Sequence, residues 1–502
     1  MLLLSDICAR LITSSTNGYD GSMMNALQSE KQWNTYFNSP HGSQLGLLNA
    51  IQHIGSLAAY PFAPYMSDGI GRRGTVIFGA VVMCAATAVQ TAAQSVRMFL
   101  GARFLIGFGL SFAASTLNAG NAAPLLVTEI AYPKYRAPMT SLYNSLYASG
   151  AIIAAWTAYG TQFIPTSWSW RIPSLLQGLP SMLQVCLIGF MPESPRWLVS
   201  VGRDAQALRT LAYYHADGNE KDPLVVYEYE EIKASIHFDR NVASNIGYKS
   251  LFTTVGNRKR MRIILAIAFF SQWSGNGLVS YYLNKVFDTI GITDSTIQLL
   301  INGILSIWNL FWGISAALLV DRLGRRLLFL TSVGGMIIFF IMQTVCSAIF
   351  AQRQTEGAAH AVIAFIFLFY AAYDVAFLPL IISYTVEILP FPVRAKGFTL
   401  YSLTLSIALI FNQYVNPVAL EKLGWKYYIV YICWLAFEGV YLYFFVTETR
   451  GLSLEETAAL FDGAEAIDQI HCHALAQAAA IPSSSEIKGG VSVDDFYEPV
   501  HP

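Results

Sequence analysis

This chain carries little charge. Asp, Glu, Lys and Arg make up 13% of its 502 residues and hydrophobic residues make up 54%, whereas an ordinary soluble domain is roughly 25% charged. A soluble protein of this size would need a far more charged surface to cover such an apolar interior. The low charge therefore predicts an integral membrane protein.

Features of several other protein classes are also missing. The formal net charge is −1, which gives no basic surface for nucleic acid. The six cysteines lack the spacing of a disulfide framework or a metal site, and the string HCH at 471–473 has no second cluster to complete one. No Ser/His/Asp order, carboxylate pair or glycine-rich phosphate loop stands in a context that supports catalysis. We expect no enzyme activity, metal, cofactor or nucleic-acid partner.

Long apolar stretches recur along the whole chain, each near the roughly 20 residues that a helix needs to cross a bilayer. They lie at 7–27, 45–66, 75–94, 97–118, 140–163, 171–191, 263–287, 297–320, 327–350, 359–385, 397–420 and 427–447. The first stretch is the most polar, because it contains Asp6, Arg10 and Asp20. It is counted because the repeat described next requires it. The pattern predicts an all-α membrane protein with twelve transmembrane helices.

A string with one acid, a glycine and paired arginines occurs twice. DGIGRR at 68–73 returns as DRLGRR at 321–326, which places the two acids 253 positions apart. A Glu/Arg couple returns at nearly the same offset, as Glu129 with Arg136 and then Glu387 with Arg394. Internal repeats of this kind are typical of transporters. They predict two similar six-helix halves.

Basic residues concentrate in the loops on one side of the predicted bundle. By the positive-inside rule this side is cytoplasmic, together with both termini and the polar middle segment. The middle segment has amphipathic patterns at 204–214 and 224–236 that favour short helices, with Glu228, Glu230 and Glu231 on a solvated side; a plain linker is the alternative. The predicted organisation is an N-terminal half at 1–191, a cytoplasmic helical loop at 192–262, a C-terminal half at 263–447 and a cytoplasmic tail at 448–502.

Several short motifs occur together. They are the repeated GRR strings, RFLIG at 103–107, Glu129 to Arg136, PESPRW at 192–197 and TETRG at 447–451. Their combination resembles the sugar porter family of the major facilitator superfamily. QWSGNG at 272–277, YY at 281–282 and NQYVNP at 412–417 are similar, more narrowly, to its fungal lactose-permease-like branch. The resemblance implies the major facilitator fold, a central sugar site and alternating access.

We also expect a monomer in the plasma membrane.

Charges at the ends of the cytoplasmic loops predict a gate. Gly71 and Gly324 permit tight turns between antiparallel helices, and the arginines beside them can meet acids at neighbouring helix ends. A single exposed pair contributes only about 0–1 kcal/mol, but several could bias the equilibrium between two open states. The alternative is that the arginines only anchor the topology. The predicted gate residues are Asp68, Arg72, Arg73, Glu129, Arg136, Glu193, Arg196, Asp321, Arg325, Arg326, Glu387, Arg394 and Glu448.

Two charges stand out within the apolar stretches, Asp20 in the first and Arg103 in the fourth. A charge at membrane depth costs at least about 2.5 kcal/mol, so such residues are usually paired and functional. In the proton-coupled members of the resembled family, an Asp after Gly-Tyr and an Arg at this point of the fourth helix form the proton site. The resemblance therefore implies proton coupling at Asp20 and Arg103. A static buried ion pair is the alternative.

The resemblance also implies a sugar site built from amides and phenols. Such groups both donate and accept hydrogen bonds, which suits a neutral polyol. The chain departs from the family pattern at Asn144, Ser271, Asn276 and Ile382, and these departures bear on which sugar is bound. The predicted substrate-binding residues are Asn144, Gln272, Asn276, Tyr281, Asn309 and Asn412.

Together these features predict a symporter that takes up a neutral sugar with a proton. The predicted sugar is a disaccharide such as lactose or cellobiose. Three alternatives share the fold: a hexose facilitator, an exporter of secondary metabolites and a sugar sensor that does not transport.

Overall fold

The computed structural model describes residues 2–114, 136–189, 192–216, 218–241, 247–450, 457 and 460–462. Every regular element in this part of the chain is a helix. Seven of its helices are long and apolar enough to cross a membrane by length and composition. The helices follow one another as twelve spans in two groups of six, so the predicted all-α fold is confirmed.

The N-terminal half begins with a long helix, the first span, which includes the polar stretch around Asp20. A short helix, Lys31–Tyr36, follows it. Ala63–Thr91 bends sharply at Gly71, so its first turns extend the second span and the rest forms the third. The sixth span is broken between its two helices. The six spans are Leu2–Ser29, Gly42–Ala59, Ala63–Thr91, Val96–Ala114, Arg136–Thr161, and Trp168–Leu176 with Leu179–Ile188.

The C-terminal half repeats this plan around a large apolar and aromatic core. Its first span, the seventh of the chain, is broken between two helices, and its other five spans are continuous. The six spans are Val255–Trp273 with Asn276–Thr289, Ser295–Leu323, Arg325–Arg353, Glu356–Ile388, Phe391–Leu423 and Tyr427–Phe445.

Two glycines make the turns that the repeated strings predict. Gly71 has φ 88° and Gly324 has φ 91°, a backbone region that residues with a side chain rarely adopt. A Cβ on Gly71 would lie 2.3 Å from a carboxyl oxygen of Glu193, and one on Gly324 would lie 2.8 Å from an oxygen of Glu448. We call the end of the bundle that holds these turns the basic end, and the other the opposite end.

The middle segment is helical, as its amphipathic patterns predict. Its helices are Pro195–Ser200, Asp204–His215, Pro223–Asn241 and Ser250–Thr253. One part of the prediction is wrong, because Glu228 does not lie on the solvated side with Glu230 and Glu231. It is buried and paired with the ring of His215, because the second and third of these helices pack against each other and enclose that pair.

Candidate functional site

Asp20 is fully buried in the middle of the N-terminal half. Gln177, at the break of the sixth span, donates from Nε2 to Asp20 Oδ1 at 2.6 Å. Gln90 of the third span donates in turn to Gln177 Oε1 at 3.0 Å. The second carboxyl oxygen, Asp20 Oδ2, is buried without a hydrogen-bond partner. Since an unpartnered buried acceptor is costly, Asp20 keeps one oxygen on which a proton would be favourable.

Arg103 is nearly as buried, at 3% exposure. Its guanidinium binds to the second span, where Nε donates to the Leu48 carbonyl at 2.9 Å and Nη2 donates to Gln52 Oε1 at 2.7 Å. The remaining nitrogen, Nη1, is buried without a partner. Arg103 therefore also keeps one unused polar atom.

Asp20 and Arg103 form no ion pair with each other. The acid is held by the sixth span and the arginine by the second. The static buried ion pair considered as an alternative is thus not found between these two described residues. Asp20 Oδ2 is free to bind a proton. If the helices shift, it could instead accept a hydrogen bond from Arg103 Nη1.

The seventh span is interrupted beside two predicted sugar ligands. Gly275 has φ 97°, so the helix stops after Trp273 and restarts at Asn276. Gln272 and Asn276 flank this break. The Asn276 carbonyl accepts from the Tyr370 hydroxyl at 2.9 Å, while Asn276 Oδ1 is buried and unpartnered.

Asn412 does not present a free polar atom to a ligand. Its Nδ2 donates to the Gln272 carbonyl, and its Oδ1 accepts from Asn416 and from Tyr431. The Nδ2 bond holds the eleventh span against the broken seventh span, and the Oδ1 bonds join Asn412 to its own span and to the twelfth. The structure therefore places Asn412 behind Gln272, as a support for it.

Two further predicted ligands, Asn309 and Tyr281, lie in the eighth and seventh spans. Asn309 has a buried, unpartnered Oδ1. Tyr281 interacts electrostatically with Tyr147 of the fifth span and Tyr370 of the tenth. The side chain of Tyr147 is 40% exposed. Asn144 belongs to the helix Arg136–Thr161, and its side chain lies outside the described residues.

Hydrogen bonds join the two halves towards the opposite end. Asn25 Nδ2 of the first span donates to Asn302 Oδ1 of the eighth at 3.0 Å. Gln28 Nε2 donates to the carbonyl of Tyr281 at 3.0 Å. Asn49 Nδ2 of the second span donates to the Tyr282 hydroxyl at 3.0 Å. These contacts hold the two halves together away from the basic end.

At the basic end of the N-terminal half, one glutamate binds the turn at Gly71. Glu193 accepts backbone N–H groups of Arg72 and Arg73 at 2.9 and 3.1 Å. The Arg72 side chain instead pairs with Asp68 at 3.2 Å. Arg73 donates from Nη2 to the carbonyl of Gly189.

The C-terminal half repeats this arrangement. Glu448 accepts backbone N–H groups of Arg325 and Arg326, each at 2.9 Å, and the Arg325 guanidinium pairs with Glu387 at 3.0 Å. Burial alone would raise the pKa of Glu448, but backbone hydrogen bonds from Arg325, Arg450, Arg326 and Thr449 outweigh it and hold the pKa below its usual value. Each of these contacts lies within one half.

For the remaining predicted gate residues, the structure describes few contacts. Arg394 donates from Nε to the carbonyl of Leu389 at 3.1 Å, and Arg196 lies in the helix Pro195–Ser200. Glu129 lies outside the described residues, as do the side chains of Arg136 and Asp321. In the part of the chain that the structure describes, no cluster of His, Cys, Asp and Glu could hold a metal ion, and 471–473 lies outside that part.

The prediction that two charges stand out within the spans was incomplete. Asp374 in the tenth span and Glu438 in the twelfth are buried acids too, at 3% and 0% exposure. Asp374 lies one helical turn from Tyr370 and keeps an unpartnered Oδ2. Single acids inside the strings YAAYDVAF and LAFEGVYL are the signal that could have revealed both.

Comparison with known proteins identifies relatives along almost the whole chain. The profile of a family described as "Sugar (and other) transporter" matches residues 7–461. The MFS-type transporter criB of Aspergillus cristatus is 28% identical over 453 residues, which cover 90% of this chain and 91% of the relative. The high-affinity glucose transporter of Kluyveromyces lactis is 27% identical over 458 residues, covering 88% of this chain and 81% of that one.

The fold is also found among solved structures. The inward-open structure of the xylose transporter XylE from E. coli superposes with a TM-score of 0.74 at 23% identity, over 91% of this chain and 100% of that one. Another structure of XylE is described as a proton:xylose symporter bound to 6-bromo-6-deoxy-D-glucose. At this identity the likeness concerns the fold.

Proposed function

This chain belongs to the sugar transporter family of the major facilitator superfamily, and from that membership we propose that it takes up a neutral sugar together with a proton. The observation that carries the coupling is the pair of incompletely satisfied charges, Asp20 and Arg103, held on different helices. In a protein interior, polar groups are nearly always paired. Two unpaired atoms at the centre of one half indicate a site that changes partners.

The ligand side of the proposal rests on uncharged groups. Gln272, Asn276 and Asn309 are amides, and the last two keep unpartnered oxygens that hydroxyl groups of a sugar could satisfy. The phenols of Tyr147 and Tyr281, which interact electrostatically with each other, would add further hydrogen-bonding groups. We propose a disaccharide such as lactose or cellobiose, because the motifs at 272–277 and 412–417 resemble the lactose-permease-like branch. A hexose is the nearest alternative, since the Kluyveromyces lactis relative is a glucose transporter.

In the proposed cycle a proton binds to Asp20 Oδ2 and neutralises the acid. Gln177 then holds a neutral carboxyl, and Arg103 stays on Gln52 and the Leu48 carbonyl. We propose that the N-terminal half also rearranges internally during the rocking step, so that its second and sixth spans shift relative to each other and Arg103 can approach the acid. Its positive charge favours the carboxylate and drives the proton off. The charge networks at the basic end separate or meet with each rocking step.

We propose that the basic end is cytoplasmic, with both termini on that side, because the arginine-rich turns lie there. Epitope tags at the two ends should be protected from an impermeant label in intact cells. A labelled N-terminal tag would contradict this orientation.

The decisive experiment is uptake of labelled lactose, cellobiose and glucose in cells that lack their own sugar carriers, with and without a protonophore. One charge that enters at about 100 mV supplies about 2.3 kcal/mol, which supports on the order of 50-fold accumulation. Asp20→Asn should abolish accumulation but allow downhill exchange.

The matched control is Glu356→Gln, which neutralises an exposed acid at the start of the tenth span. Accumulation that survives the protonophore would refute proton coupling. Uptake of none of the three sugars would refute sugar transport and favour export of a different metabolite.

A further inference from the structure

Glu438 lies in the middle of the twelfth span and is completely buried. Neither of its carboxyl oxygens has a hydrogen-bond partner. Two uncharged groups face it: the indole of Trp434, one turn earlier in the same helix, and the hydroxyl of Ser274 in the seventh span. Among the residues that the structure describes, no cation or other titratable group acts on this carboxyl. The proposed transport cycle gives Glu438 no role.

The walls around Glu438 are apolar and aromatic. The ring of Trp434 lies 5.7 Å from that of Trp273 and 6.0 Å from that of Phe270 in the seventh span. On the ninth span, the neighbours at this level are Val333 and Ile337, which a Cβ on Gly439 would meet at 3.3 and 3.6 Å. A carboxylate in such surroundings would be buried without any compensating charge. The surroundings therefore favour the neutral acid.

The hydroxyl of Ser274 supports the same protonation state. Its single hydrogen is donated to the carbonyl of Phe270, so the oxygen that faces Glu438 can only accept. A carboxylate cannot donate to it, whereas a protonated carboxyl can. The indole N–H of Trp434 has no partner and can donate to the other carboxyl oxygen. A neutral Glu438 satisfies both neighbours at once.

Ser274 is the residue at which the first helix of the seventh span ends, directly before Gly275 with φ 97°. Gln272 and Asn276 lie two residues to either side of it. Glu438 therefore faces the break in the seventh span from behind, while the candidate sugar-binding amides lie beside the break. A bond between Glu438 and Ser274 would fix the end of the first helix.

We propose that Glu438, as a neutral acid, is a positioning residue that holds the break of the seventh span and so sets the sugar affinity of Gln272 and Asn276. The affinity part of this inference rests on the proposed sugar site. The protonation part does not, since it concerns only the groups around Glu438.

The first test is infrared spectroscopy of the purified protein at neutral pH, which needs no sugar. The spectrum of wild type minus Glu438→Gln should show the loss of a carboxylic-acid C=O band. The same subtraction with the exposed control Glu356→Gln should show no such loss. If carboxylate bands are lost in the Glu438→Gln spectrum instead, Glu438 is charged and the inference is overturned.

The second test compares variants in downhill exchange of the sugar that the wild type carries among lactose, cellobiose and glucose. Glu438→Gln can donate to Ser274 and accept from Trp434, as the neutral acid does, so its KM should stay within about twofold of wild type. Glu438→Met keeps the length but makes neither bond, and should raise KM about tenfold, which is about 1.4 kcal/mol, with a smaller change in kcat.

A pH profile separates positioning from mere packing. In an Asp20→Asn background, which removes the proposed coupling acid, KM should rise at alkaline pH as Glu438 loses its proton. Adding Glu438→Gln should remove this rise. An equal KM for Met and Gln variants, or a rise that persists with Gln, would overturn the inference. If Glu438→Met does not fold, Ser274→Ala removes the acceptor instead and should raise KM in the same way.

Discussion

At the scale of single residues, this protein is marked by polar atoms that lack a partner. Asp20, Arg103, Asp374 and Glu438 are buried in the described part of the chain and each retains at least one such atom. The sequence indicated the first two because charges in apolar stretches are conspicuous. It did not indicate that Gln177 would bind Asp20, since glutamines occur throughout the chain and only the fold selects one of them.

Another buried acid, Glu30, follows directly after the first span and gives a prediction about pH. Its side chain is 1% exposed. Burial raises the pKa of Glu30 to about 7, and the nearby Ser169 hydroxyl offsets this only partly. Because the pKa is raised, Glu30 contributes fully to the stability of the folded protein at pH values below the ordinary pKa of a glutamate. This contribution is lost as the pH rises through about 7.

We therefore expect the thermal unfolding temperature of the wild type to fall between pH 4.5 and about pH 7 and to level off above that. Glu30→Gln should flatten this dependence and give the more stable protein at the alkaline end. The full effect is at most roughly 3 kcal/mol, at about 1.4 kcal/mol per pKa unit. Lys31→Gln, at an exposed neighbouring position, should leave the slope as in the wild type. Parallel slopes for wild type and Glu30→Gln would show that another group titrates.

At the scale of helices and turns, glycines determine where the spans stop. Gly71 and Gly324 make the turns at the basic end, and Gly275 breaks the seventh span. The first two could be predicted because an acid, a glycine and two arginines recur between apolar stretches. The break at Gly275 could not, because its left-handed backbone depends on neighbours such as Phe340, whose ring a Cβ there would meet at 2.8 Å.

Gly71→Ala and Gly324→Ala should each lower stability, measured as the thermal unfolding temperature in detergent. The strained backbone alone costs roughly 1–3 kcal/mol, and each new Cβ would press on the glutamate that binds the turn. Gly69→Ala is the matched control, because a Cβ there meets nothing within 4 Å and alanine favours a helix. If the first two variants matched Gly69→Ala in stability, the turns would not require glycine.

At the scale of the whole molecule, the two ends of the bundle differ in how the halves are held together. Hydrogen bonds such as Asn25 to Asn302 join the halves towards the opposite end. The charge networks that the structure describes at the basic end each stay within one half. An arrangement of this kind leaves the basic end free to open while the opposite end is closed.

Locking the opposite end should stop transport. In a variant without the native cysteines, Asn25→Cys with Asn302→Cys should react with a cleavable bifunctional thiol reagent, because these side chains touch. Uptake should be blocked by the reagent and restored when the link is cleaved, since alternating access requires the two halves to separate there. Each single-cysteine variant serves as a control. Full uptake by the cross-linked protein would mean that this contact persists throughout the cycle.

The sequence by itself determined the membrane class, the two six-helix halves and the turns at Gly71 and Gly324. These depend on local physics: the length of apolar stretches and the backbone freedom of glycine. Only the tertiary structure decided that Asp20 binds Gln177 and that Glu438 faces Ser274, because each contact joins residues more than 150 positions apart. Which polar atoms are buried without a partner depends on how such distant residues pack. The chemistry of the site therefore became visible only in the folded chain.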